Sequence, residues 1–64
     1  RVWSYGNRLY VAAGATDGRA HIYNVTGVLV KILPYAAGET VGATLPAGVY
    51  VVAAEGRRYK VAVK

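Results

Sequence analysis

Along its last stretch, Tyr59, Val61 and Val63 alternate strictly with Arg58, Lys60, Ala62 and Lys64. A period of two puts the first set on one face of an extended strand and the second on the other, whereas a helix would mix them around its circumference. One face then packs on a core and the other meets water. The same alternation recurs upstream in short runs bounded by Gly, Pro, Asn and Asp. It predicts strands over about residues 8–13, 19–24, 28–33, 40–45, 49–54 and 58–63, with a short one near 2–5. The pairs Ala12-Ala13, Ala36-Ala37 and Ala53-Ala54 favour helix in isolation but are too short to override this pattern. Six to seven short strands separated by turn residues make the expected fold all-β, a small antiparallel β-sandwich.

The connections carry their own chemistry. Asp17-Gly18 is a frequent tight-turn pair, Asn24-Val25-Thr26-Gly27 fits a type I turn with Gly27 in the left-handed position of a G1 bulge, and Glu55-Gly56 marks a hairpin. In Leu45-Pro46-Ala47-Gly48, Pro46 presets φ at the first corner, and Gly48 is expected to take a positive φ where a Cβ would clash. A Gly48→Val change should then be more damaging than most surface changes. The segment Leu33-Pro34-Tyr35-Ala36-Ala37-Gly38 reads as the longest connection, with Pro34 at a strand end or edge.

Sixty-four residues form a single domain, 1–64, with no linker or repeat to divide it. A chain of this size buries only about 60% of its unfolded surface, so its stability is marginal. There is no cysteine to form a disulfide and no Cys/His cluster to hold structural zinc. The chain begins Arg1-Val2-Trp3 and lacks methionine, which reads as a C-terminal piece excised from a larger protein, with removal of an initiator methionine as the alternative. The net charge of +5 favours anionic partners, yet Arg1, Arg8, Arg19, Lys31, Arg57, Arg58, Lys60 and Lys64 are scattered along the chain and read as a solvated face.

Candidate chemistry is sparse. Acid/base catalysis needs paired titratable groups, and the chain offers only His21, Asp17, Glu39 and Glu55 beside its lysines and tyrosines. No nucleophile motif accompanies His21, and one histidine without cysteine makes a poor metal site. Neither a Walker-type loop nor G-x-G-x-x-G is present. No catalytic, cofactor-binding or metal-binding residue is therefore assigned, and neither an enzyme nor a small-molecule substrate is expected. Asn24-Val25-Thr26 satisfies the glycosylation pattern but reads as turn chemistry. Six tyrosines and one tryptophan remain. Tyr23 and Tyr50 suit core or sheet-surface packing, while Trp3, Tyr5, Tyr10 and Tyr35 could form an exposed platform for sugars or single-stranded nucleic acid, although their spacing lines up on no obvious face.

Three segments taken in order carry a resemblance. They are Ala20-His21-Ile22-Tyr23-Asn24-Val25-Thr26-Gly27-Val28-Leu29-Val30, then Leu45-Pro46-Ala47-Gly48-Val49-Tyr50-Val51-Val52, and finally Tyr59-Lys60-Val61-Ala62-Val63-Lys64. Together they resemble the C-terminal sorting domain, type A, of cargo proteins of the type IX secretion system of Bacteroidetes. The similarity covers roughly residues 8–64. Many such domains open on a Tyr-Pro-Asn-Pro-like segment, where this chain has Trp3-Ser4-Tyr5-Gly6-Asn7.

The resemblance implies an immunoglobulin-like sandwich that is recognised by the type IX machinery, exported across the outer membrane, and placed at the cell surface or secreted. It implies as a further partner a sortase-like cysteine peptidase that removes the domain and attaches the cargo to the surface. Recognition would rest on Tyr23, Gly27, Gly48, Tyr50 and the terminal strand Lys60, Val61, Ala62, Val63 and Lys64. An uncovered edge on that strand would also allow β-augmentation by a receptor or a strand-mediated homodimer of the isolated domain. Two other readings stay open: a generic extracellular sandwich, either spacer or carbohydrate-binding module, and a basic barrel binding nucleic acid, the latter disfavoured by the scattered charge.

Overall fold

A computed structural model describes the whole chain, Arg1–Lys64. Seven strands form in order: β1 (Val2–Tyr5), β2 (Arg8–Ala12), β3 (Gly18–Asn24), β4 (Leu29–Tyr35), β5 (Thr40–Thr44), β6 (Gly48–Ala54) and β7 (Arg57–Val63). All pairings are antiparallel, and two sheets result, β1-β2-β5 and β4-β3-β6-β7. Strands 1, 2 and 5 on one side and 3, 6 and 7 on the other is the Greek-key partition of an immunoglobulin-like sandwich. The fourth strand has joined the second sheet instead of flanking the fifth.

The alternation seen in the sequence sets the two inner faces. Leu9, Val11, Ala43 and Leu45 from the first sheet and its margin meet Ala20, Ile22, Leu33, Tyr35, Tyr50, Val52, Ala54, Val61 and Val63 from the second. Leu9, Ile22 and Val52 are completely enclosed, and no polar side chain is buried with them. In β7, Val61 and Val63 are buried while Lys60 and Ala62 are exposed, as is Lys64 just beyond the strand.

Two turns form as expected. Gly27 has φ +88° and donates to the Asn24 carbonyl at 3.0 Å. The register then slips between Ile22/Lys31 and Tyr23/Leu29, which makes Val30 the extra residue of a bulge. Asn24 Oδ1 accepts from Thr26 N, Thr26 Oγ1 and Val28 N, so this side chain serves the turn. At the β6–β7 hairpin, Glu55 (φ +53°) and Gly56 (φ +73°) give the doubly left-handed pair of a type I′ turn.

Two expectations about connections are corrected. Leu33-Pro34-Tyr35 is not loop but the end of β4, with Leu33 and Tyr35 in the core. Because β4 is an edge strand, no outer neighbour requires the N–H that Pro34 lacks. The longest connection is instead residues 13–17, which carries the chain from one sheet to the other. Asp17-Gly18 accordingly forms no hairpin. Asp17 Oδ1 accepts from Ala37 N at 2.8 Å, and Gly18 opens β3 beneath Tyr35, where a Cβ would lie 2.7 Å from the phenolic oxygen.

Burial of Tyr35, reinforced by the Glu55 charge, raises its phenol above the usual value of 10.0. The folded state thus favours the protonated phenol more than the unfolded chain does. That stabilisation is complete below pH ~10 and is lost as pH rises through the higher folded-state value. Thermal melts between pH 8 and 11.5 should show stability falling above pH ~10 in the native chain, with a shallower fall in Tyr35→Phe.

Candidate functional site

The three motif segments lie far apart in sequence but occupy adjacent strands of one sheet, because β6 inserts between β3 and β7. Tyr23 pairs with Val51, and Val51 pairs with Lys60. Directly paired residues share a face, so Tyr23, Val51 and Lys60 form one row across the outer surface, with Leu29 continuing it on β4. A parallel row runs Ile32, His21, Ala53 and Arg58. Between them lies an open depression of about 440 Å³, lined by Tyr23, Asn24, Val25, Val51, Ala53 and Arg58 among others.

The residues named for recognition therefore divide by position. Tyr23, Lys60, Ala62 and Lys64 are on the outer surface, and Gly27 sits at the adjoining hairpin. Val61 and Val63 are core, at 8% and 3% exposure. Tyr50 is also core, and its hydroxyl donates to the Pro46 carbonyl at 2.6 Å. A tyrosine near the start of the sixth strand that bonds back across the preceding corner is the tyrosine corner of immunoglobulin-like sandwiches. Leu45-Pro46-Ala47-Gly48-Val49-Tyr50 thus has an architectural role of its own. Gly48 has φ +159°, but the expected clash is absent: a Cβ there would meet the Tyr50 ring at 3.8 Å, an ordinary contact. The cost of a side chain is in the backbone conformation alone.

The terminal strand does lie at a sheet edge, yet the edge is only partly open. Ser4 Oγ donates to the Ala62 carbonyl, and Lys64 N donates to the Gly6 carbonyl at 3.4 Å. The β1–β2 hairpin thereby covers the far end of β7. Arg58 and Lys60 make no backbone bond on that side and present the accessible part of the edge. The opposite edge, β4, is the more apolar one: Val25, Val28, Leu29, Val30 and Ile32 account for five of the seven large apolar side chains left exposed.

A second surface gathers three of the four residues considered for an aromatic platform. Trp3 pairs with Tyr10 and Tyr5 with Arg8, which places these side chains together on the outer face of the first sheet. The Trp3 and Tyr10 rings stack at 5.5 Å, with Arg1 4.9 Å from the Trp3 ring and Arg8 5.7 Å from the Tyr10 ring. Tyr10 also lies over Gly42 on β5, where a Cβ would come within 2.8 Å of the ring. The expectation that the aromatic residues share no face is therefore corrected for Trp3, Tyr5 and Tyr10, while Tyr35 is core. The alternation of β1 and β2 held the signal, but only their hairpin register brings Trp3 onto Tyr10. The Trp3 and Tyr10 rings thus engage each other and two guanidinium groups, while the Tyr5 ring beside them is 80% exposed.

No family model matches the chain, nor does any curated protein or solved structure.

Proposed function

We propose that this domain is a C-terminal sorting module of the type IX secretion system, a folded signal that the export machinery of a Bacteroidetes bacterium reads on its parent protein. The observation that supports the reading is the row Tyr23–Val51–Lys60, which takes one residue from each of the three motif segments. A receptor seated on the outer face of β3-β6-β7 would touch all three regions at once. In this reading the domain performs no catalysis. The parent reaches the cell surface or the medium, and a sortase-like cysteine peptidase acts upstream of the sandwich.

A second reading, an extracellular spacer, is favoured by the tyrosine corner, because Tyr50 and its turn are already explained by architecture. One experiment separates the two. A periplasmically targeted fluorescent protein carrying residues 1–64 at its C-terminus is expressed in a Bacteroidetes host with and without a working type IX translocon. Fluorescence at the surface or in the medium of the competent host alone is the expected result. Retention in both hosts, with the domain folded, favours the spacer.

A further inference from the structure

The eight lysine and arginine side chains are left without carboxylate partners because the three acidic residues are engaged elsewhere. Asp17 accepts from Ala37 N, Glu39 from Ala36 N, and Glu55 from Gly14 N. Only Arg8 among the cationic side chains donates a hydrogen bond within the molecule. Unpaired charge spread evenly over a surface would signify little, but part of it is gathered. Arg19 and His21 on β3 face Arg58 on β7 across Ala53 of β6, and Arg57 joins them from the hairpin end. These residues line a depression of about 360 Å³ whose one acidic member, Glu55, has its carboxylate turned to the Gly14 amide.

We infer that this depression is an oxyanion-binding site for phosphate esters. Adjacent strands are about 4.8 Å apart, so His21 and Arg58 stand roughly twice that distance from one another across β6. The residue between them is alanine, which leaves a slot with donors on both walls. Guanidinium groups bind phosphate bidentately, and three of them around one slot match a multiply charged group better than a single carboxylate. Arg19, two residues before His21 along β3, extends the cationic wall in the strand direction. The site rests on a different row from Tyr23–Val51–Lys60, with Ala53 and Arg58 shared between the two depressions, and its test reads anion binding without any export step.

The test is a ¹⁵N NMR titration of the chain with sodium pyrophosphate at fixed ionic strength. Saturable shifts are expected at residues 19–21 and 53–58. Affinity should fall at least tenfold in Arg58→Ser and in Arg19→Ser, whose exposed side chains leave the fold intact. Ala53→Leu should weaken binding as strongly without changing the charge, because it fills the slot; Arg8→Ser, on the other sheet, should leave affinity unchanged. Sodium sulfate, run in parallel, should bind more weakly. Non-saturating shifts at all cationic residues, equal losses in Arg8→Ser and Arg58→Ser, or undiminished binding in a folded Ala53→Leu protein would each overturn the proposal.

Discussion

Removal of Lys60–Lys64 should unfold the domain, and loss of export in such a truncation would follow from unfolding alone. The segment contains Val61 and Val63, both buried, and pairs with β6 through Gly48, Val49, Tyr50 and Val51. Full burial of a valine contributes about 1.5–3 kcal/mol, so the two side chains together represent about 3–6 kcal/mol. A single core in a chain of this size rarely supplies more than about 3–5 kcal/mol in all. The truncated protein should therefore give a disordered circular dichroism spectrum with no cooperative melt at 25 °C. A folded truncation would show that β7 is dispensable to the sandwich and would return it to consideration as a detachable peptide signal.

Leu9→Ala should come next in effect. Leu9 is completely enclosed on the middle strand of the three-stranded sheet and shares the core with the equally enclosed Ile22 and Val52 of the other sheet. Leucine-to-alanine changes at such sites cost about 2–5 kcal/mol through lost transfer energy and the cavity left behind. Since the first sheet contributes few large residues to the core, little can collapse into the space. A urea titration should show the midpoint lowered by most of its native value, with an unchanged slope. A midpoint within experimental error of the native one would mean that the two sheets are held together elsewhere.

The strand pattern was legible because strict alternation leaves few alternatives: the inward and outward residues of β7 stand where Tyr59–Lys64 suggested. Pro34 does stand near the end of an edge strand, as its missing N–H suggested, but the segment around it read as a connection, because proline looks locally like a break and only the sheet order shows how far β4 extends. Asp17-Gly18 misled for the opposite reason, as a good turn pair used in a crossing between sheets. The basic depression could not be read at all. Arg19 and Arg58 come from opposite ends of the second sheet's sequence span, and they meet only because β6 is placed between β3 and β7. The motif residues were visible individually, but their division into core and surface required the register. Tyr50 and Tyr23 look alike in sequence, yet one closes a corner and the other lies on the outer row.

That division points to the decisive comparison. Tyr23 and Lys60 occupy the outer row, so the double variant Tyr23→Ser/Lys60→Glu removes an aromatic body and reverses a charge without opening the core. Its circular dichroism and melting should stay close to native. Fused to the fluorescent reporter in the translocon-competent host, it should remain in the periplasm while the unaltered domain is exported. A folded double variant exported as efficiently as the unaltered domain would contradict the claim that this face of the second sheet is what the export machinery reads.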